Sequence, residues 1–171
     1  MEQSRELPAI VVGVDGSAPS ILALRWAGGL VPLFKARIRA VTCWQFQIAV
    51  GTFTPVLWNP EEQAREVCAA AVAEAFDGGP PSDLEIVTAQ GAAAKVLVEE
   101  SRTAQIVVVG SRGRGGFEGL LLGGVSATVA EHAKCPVLVA HGTDLPGALS
   151  GVPGQNSADA GGQPGSSHAS A

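Results

Sequence analysis

The chain has 171 residues, 46% of them hydrophobic, which is enough for one domain with an apolar core and a terminal segment outside it. Its formal net charge of −5 argues against a nucleic-acid backbone or an anionic membrane as the main partner, because both select clustered Lys and Arg. No stretch approaches the ~20 apolar residues of a membrane-spanning helix, and the N-terminal sequence lacks the apolar core of a signal peptide. We therefore expect a cytoplasmic protein without nucleic-acid or membrane partners.

Short apolar runs alternate with segments of helical periodicity from residue 9 onward. Residues 9–14 are typical of a buried parallel strand. A helix is predicted to follow, with Ser17 as its N-cap and its end near Phe34. Residues 36–44 predict the second strand. Residues 45–58 are apolar without a period, and we predict an irregular loop there.

The second helix is predicted over residues 59–76, and its first residues carry the signals of a helix start. Asn59 is placed as the N-cap, Pro60 at the first helical position and Glu62 as the carboxylate of a capping box. Six residues form one apolar stripe along it: Ala64, Val67, Cys68, Ala71, Val72 and Ala75. The remaining predictions are strand 83–89, helix 92–101, strand 105–110, a helix from Gly123 or Gly124 to 133, and strand 135–141.

Five strands alternating with four helices predict an α/β domain with a mainly parallel sheet and right-handed crossovers. In such sheets, ligands bind beyond the carboxyl ends of the strands, where the strand order reverses. We predict an N-terminal extension over residues 1–7, the domain over 8–141 and a disordered tail over 142–171. The tail prediction follows from the dominance of Gly, Pro, Ser and Ala in the last segment.

The three cysteines are Cys43, Cys68 and Cys135, an odd number spread widely along the chain. They lack the paired spacing of a zinc site and the even count of a disulfide framework. We predict buried thiols, because free cysteine packs as a small hydrophobic residue. This cysteine usage agrees with a cytoplasmic protein.

A glycine-rich loop connects the fourth strand to the fourth helix. Seven glycines occur between Gly110 and Gly124. Unpaired N–H groups and the helix dipole favour an anion at a helix start, and glycine lets the backbone approach that anion and permits φ > 0. A phosphate is the predicted ligand, and a merely flexible turn is the alternative. The loop lacks the G-x-x-x-x-G-K-[ST] motif, and Glu118 occupies the third glycine position of the dinucleotide motif.

Two separated motifs resemble the universal stress protein family. The pattern G-x2-G-x9-G-[ST] reads Gly110, Gly113 and Gly123 here, within "GSRGRGGFEGLLLG", and "VVGVDGSAPSILALRWA" resembles the family's opening. The resemblance covers roughly residues 8–141. It implies a Rossmann-like fold similar to the adenine nucleotide alpha hydrolases, with helices on both faces of a five-stranded sheet in the order 3-2-1-4-5. It also implies a homodimer joined through strand five, residues 136–141, and in one branch of the family an ATP site.

The resemblance further implies which residues contact ATP. Asp15 would lie near the ribose or a phosphate-bound Mg²⁺, the backbone at Cys43 would meet the adenine, and Arg112 would reach the phosphates. The full set of predicted contacts is Gly13, Val14, Asp15, Cys43, Val109, Gly110, Arg112, Gly113, Gly123, Gly124, Val125 and Ser126. For Asp15 the alternative is a cap on the first helix, and for Arg112 an ordinary solvated side chain.

Gly124 departs from the ATP-binding branch, which carries Ser or Thr at that position. The missing hydroxyl removes a hydrogen bond to a charged group worth roughly 1.5 to 3 kcal/mol, so affinity would fall about tenfold to a hundredfold. Ser126 lies on a different side of the helix and cannot substitute, although its N–H belongs to the first turn.

The main functional interpretation is an ATP-binding regulatory protein of the stress response. One alternative is a dimeric interaction module of the same fold that has lost tight nucleotide binding, which Gly124 favours. The other is a slow ATPase, for which the loop offers no lysine and no evident base. We predict no dedicated catalytic residue.

Overall fold

The structure is a computed structural model that describes residues 7–45, 59–113, 121–147 and 149. Its elements are β1 (Ala9–Gly13), α1 (Ala18–Phe34), β2 (Arg37–Trp44), α2 (Pro60–Ala75), β3 (Leu84–Gln90), α3 (Ala93–Glu100), β4 (Ala104–Gly110), α4 (Gly124–His132) and β5 (Val137–Ala140). Every predicted strand and helix is present, with its ends within two residues of the prediction. The predictions for residues 1–6, 46–58, 114–120, 148 and 150–171 lie outside the described residues.

The strands form one sheet in the order β3-β2-β1-β4-β5, and all four pairings are parallel. This order confirms the prediction. Because β1 lies at the centre, with β2 on one side and β4 on the other, the order reverses at β1. The carboxyl ends of β1, β2 and β4 therefore border one crevice.

The sheet carries helices on both faces, as predicted. One apolar cluster includes Ile10, Ile38 and Val108 and packs with residues of α1 and α2. The opposite cluster includes Val41 and Val107 and packs with residues of α3 and α4. Strand alternation explains the division, since successive side chains point to opposite faces. Each such fully buried side chain stabilises the fold by about 1.5 to 3 kcal/mol.

The helix starts differ in detail from the predictions. At α1, Ser17 is the N-cap but its side chain makes no capping hydrogen bond. At α2, the Asn59 side chain accepts the backbone N–H groups of Glu61 and Glu62, each at 3.2 Å. Glu62 thus contributes its amide to the cap, whereas the predicted role was that of its carboxylate. The Asn59 side chain thereby satisfies two N–H groups of α2 that lack an intrahelical acceptor.

Gly110, the last residue of β4, lies against the first turn of α1. A Cβ atom built on Gly110 would lie 2.6 Å from the carbonyl carbon of Pro19 and 2.7 Å from its oxygen. Since no side chain fits at that distance, only glycine allows α1 to begin so close to β4. Gly110 therefore has a packing role in addition to any contact with a ligand.

The chain beyond β5 returns to α1. The Leu149 side chain lies beside Gly29, where a built Cβ would be 3.2 Å from the Cβ of Leu149. The Leu149 N–H donates to the Pro146 carbonyl at 2.8 Å. Thus Leu149, which lies in the segment predicted as a tail, packs against α1. None of the described helices is long and apolar enough to cross a membrane.

Candidate functional site

A cleft of about 640 Å³ opens at the carboxyl ends of β1, β2 and β4. Its walls include the first turns of α2, α3 and α4. All twelve residues predicted as contacts line it: Gly13, Val14, Asp15, Cys43, Val109, Gly110, Arg112, Gly113, Gly123, Gly124, Val125 and Ser126. The fold thus brings together residues from four separate segments, and their contact with a ligand stays a prediction.

One end of the cleft is formed by the start of α4. Gly123 is the N-cap, with extended backbone at φ −72° and ψ 163°, and no side chain among the described residues caps the helix there. The N–H groups of the first turn have no intrahelical acceptor and carry the positive end of the helix dipole. A Cβ built on Gly124 would meet nothing within 4 Å. This end of the cleft is therefore open and suited to an anion.

The two ends of the glycine-rich loop meet at Ser111. The Ser111 carbonyl accepts the Gly123 N–H at 2.8 Å and lies 3.0 Å from the Ser126 hydroxyl, which donates to it. The Ser111 N–H donates to the carbonyl of Ala140 in β5 at 2.9 Å. Ser126 is 3% exposed, so its hydroxyl faces the protein, while its residue still borders the cleft.

The described glycines of the loop do not need the positive φ that was predicted, and Gly115, Gly116 and Gly119 lie outside the described residues. Gly110, Gly113, Gly123 and Gly124 all have φ outside the left-handed region, so positive φ is not the reason for glycine at these positions. Close approach is the reason at Gly110, as described above. Positive φ occurs instead in the first loop, at Gly16, where φ is 78° and the chain turns from β1 toward α1.

Asp15 lies in that first loop, facing both α1 and the glycine-rich loop. Its Oδ1 accepts the Ser17 N–H at 3.0 Å and the Ser17 hydroxyl at 2.5 Å. Its Oδ2 approaches Gly113, because a Cβ built there would lie 2.6 Å from that oxygen. The carboxylate therefore orients the N-cap residue Ser17, while Asp15 also lines the cleft. Capping of α1 and contact with a ligand both stay predictions for this side chain.

Arg112 is exposed and lines the same end of the cleft. Among the described lining residues it is the one cation, and Asp15 is the one carboxylate. Within the described part of the chain, no three or more His, Cys, Asp or Glu side chains gather as a metal site. A divalent cation at Asp15 would therefore need most of its ligands from a bound phosphate and water.

The other end of the cleft is mostly apolar, and of its residues only Cys43 was predicted from the sequence. Its residues come from the end of β2 and from the N-terminal halves of α2 and α3: Val41, Thr42, Trp44, Gln45, Pro60, Gln63, Ala64, Val67, Ala93 and Leu97. A usable signal existed, because helices that follow parallel strands begin at the same sheet edge where those strands end. Applied to α2 and α3, that rule places their first turns beside the site.

Cys43 lies on the apolar wall at the end of β2. Burial, with a smaller effect from Glu100, raises the pKa of the Cys43 thiol from 9.0 to about 11. The thiol is therefore uncharged at neutral pH and suits contact with an uncharged group. Cys68 is buried, as predicted, whereas Cys43 and Cys135 are only half-buried. Burial also raises the pKa of the Cys68 and Cys135 thiols.

The model of the universal stress protein family matches residues 7–141. A universal stress protein of Mycobacterium tuberculosis strain H37Rv is 36% identical over 132 residues, covering 77% of this chain and 44% of the relative. A universal stress protein of Mycolicibacterium smegmatis is 34% identical over 154 residues, covering 84% of this chain and 51% of the relative. The chain spans about half the length of these curated relatives.

Solved structures with the same fold include a universal stress protein in complex with cAMP. It is 29% identical, with a TM-score of 0.57, and the match covers 81% of this chain and 99% of that one. A universal stress protein from Lactobacillus plantarum is 19% identical, with a TM-score of 0.55, and the match covers 81% and 100% of the two chains. These similarities agree with the strand order described above.

Proposed function

Because the chain belongs to the universal stress protein family, we propose that it is an adenine-nucleotide-binding regulatory protein of the stress response that acts in the cytoplasm. The proposed ligand is ATP, with or without Mg²⁺. The observation that carries the proposal is the form of the cleft, which joins an apolar end to the uncapped start of α4. A relative at 29% identity that was solved with cAMP supports adenine nucleotides as the ligand class.

The proposed pose follows from the chemistry of the two ends. The phosphates lie at the first turn of α4, where amides and the helix dipole favour negative charge. The exposed Arg112 adds a positive charge beside them. The adenine occupies the apolar end near Cys43 and Trp44, and Asp15 faces the ribose or the metal carried by the phosphates. This pose assigns binding roles to the lining residues and no catalytic role to any of them.

The first test places a carboxylate beside the proposed phosphate site. Val125 is 41% exposed and occupies the first turn of α4. We expect Val125→Glu to weaken ATP binding by about tenfold, because like charges repel at short range. Adenosine should bind the variant as it binds the wild type, since it carries no phosphate. Isothermal titration with ATP and with adenosine measures both effects.

Val125→Gln is the matched control, because it has nearly the same shape as the glutamate variant without its charge. It should bind ATP within about twofold of the wild type, with the remaining difference due to lost valine packing. The glutamate variant should fold normally, since an acidic residue in the first turn of a helix adds about 0.3 to 1 kcal/mol of stability. An unchanged ATP affinity in Val125→Glu would place the phosphates elsewhere.

The proposal includes a two-fold dimer through β5. This strand is the last one at its edge of the sheet. The carbonyls of Pro136 and Ala140 face β4, where they accept N–H groups at 3.0 and 2.9 Å. Since backbone groups alternate in direction along a strand, those of Val137 and Val139 point away from β4. An edge with outward N–H and C=O groups favours pairing with a second copy.

A proline at position 139 tests this pairing. Val139→Pro removes one outward N–H and leaves the bonds between β4 and β5 in place. We expect the wild type to show a dimer mass by light scattering at micromolar concentration, and the variant to shift toward the monomer. Val139→Ala is the control, because it loses side-chain packing but keeps its N–H. A monomeric wild type would contradict the proposed dimer.

A further inference from the structure

We propose that the Ser126 hydroxyl is a positioning group that holds the two ends of the glycine-rich loop at the spacing a phosphate requires. This inference rests on the proposed function. It concerns a side chain that faces away from the cleft and acts on the ligand only through the main chain of Ser111 and Gly123.

The first step is the closure of the loop. Ser111 and Gly123 are joined directly by the hydrogen bond from the Gly123 N–H to the Ser111 carbonyl, at 2.8 Å. The chain segments touch beside this bond as well, since a Cβ built on Gly123 would lie 3.4 Å from the Cα of Arg112 and 3.7 Å from the Gly113 nitrogen. The described residues at the two ends of the loop, 111–113 and Gly123, thus lie side by side and form one narrow neck.

The second step is the orientation of Ser126. A serine inside a helix ordinarily returns its hydroxyl to a carbonyl three or four residues earlier. Ser126 has that option, because the Gly123 carbonyl lies 3.0 Å from its Oγ. The Ser111 carbonyl lies equally close, across the neck. The bond from the Ser126 hydroxyl to the Ser111 carbonyl ties α4 to the end of β4, whereas the bond to Gly123 stays within α4. Ser111 and Ser126 are both buried.

The third step connects the neck to the site. Residues on both sides of it line the anion end of the cleft, Arg112 and Gly113 on one side and Gly124 and Val125 on the other. A phosphate that receives amides from both sides needs them at a fixed separation. Binding sites held in place by buried hydrogen bonds lose less entropy when a ligand binds. Ser126 therefore affects the phosphate part of the affinity and not the adenosine part.

The test compares Ser126→Ala with the wild type in three measurements. We expect ATP affinity to fall about fivefold, as for the loss of one net hydrogen bond, and adenosine affinity to stay within about twofold. Without nucleotide, the Gly123 amide should exchange with solvent faster, because the neck opens more often. Thermal unfolding of the variant confirms that it is folded at the temperature of the titrations.

Thr128→Ala is the matched control. The Thr128 hydroxyl lies on the same helix and donates to the Gly124 carbonyl at 2.8 Å, so it stays within α4. Its removal should leave the ATP affinity and Gly123 exchange unchanged. Equal losses of ATP and adenosine in Ser126→Ala, or unchanged Gly123 exchange, overturn the positioning role alone. A wild type that binds no ATP overturns both this inference and the proposed function.

Discussion

Replacement of Gly110 by alanine is expected to lower the free energy of unfolding by about 3 kcal/mol, at the upper end of what overpacking costs in protein cores. The added Cβ would lie 2.6 Å from the carbonyl carbon of Pro19. The atom it meets belongs to the backbone, so no side-chain rotation relieves the contact. The first turn of α1 must move away from β4, and the midpoint of thermal unfolding should fall by about 10 °C.

Gly124→Ala is the control for this prediction, since it makes the same change at a position where a Cβ meets nothing within 4 Å. Its free energy of unfolding should stay within about 1 kcal/mol of the wild type, and any change should be a gain in stability, because alanine replaces glycine in a helix. Calorimetry of the three proteins measures the difference. Equal stability of Gly110→Ala and the wild type would show that α1 does not pack against β4 as closely as described.

The same substitution also affects the site. Asp15 and Ser17 lie in the loop that leads into α1, so a displaced first turn moves the carboxylate relative to the glycine-rich loop. We therefore attribute the glycine at position 110 to helix packing first and to phosphate approach second. The sequence pointed only to a role in the loop, because helix α1 and strand β4 are far apart in the sequence.

The elements of the fold could be predicted from local signals. Strands such as β4 consist of consecutive β-branched residues that are buried on both faces, and α2 has a strong cap at Asn59. The order of the strands was different in kind. Periodicity does not state which strands are neighbours, and the order 3-2-1-4-5 came from the resemblance to a family.

The residues of the candidate site that could be predicted are those that belong to the two family motifs, together with Cys43. Apart from Cys43, its apolar end was missed, because Pro60, Ala64 and Leu97 belong to no ligand-binding motif and reach the cleft only through the placement of their helices on the sheet. The Leu149 contact was missed for a similar reason. The adjacent Gly28 and Gly29 inside α1 were an available signal, since glycine within a helix costs about 1 kcal/mol and often marks close packing.

Gly124→Ser is expected to raise the affinity for ATP by about tenfold to a hundredfold, because a new hydroxyl at the first position of α4 can donate to a charged phosphate oxygen. The position has room for it, since a Cβ there meets nothing within 4 Å. The affinity for adenosine should not change. Isothermal titration of both ligands into the wild type and the variant measures the difference.

Gly124→Ala separates the effect of the hydroxyl from that of the added Cβ, and it should bind ATP as the wild type does.

The titrations also distinguish the two functions that the family permits for this chain. Heat from ATP in both the wild type and Gly124→Ser supports a nucleotide-binding regulator whose affinity is lowered by one missing hydroxyl. Heat in the serine variant alone supports a dimeric interaction module, because the cleft would then keep the shape of a nucleotide site without the affinity to fill it. The absence of binding heat in both proteins would remove nucleotide binding from the function of this chain and leave the β5 edge as its functional surface.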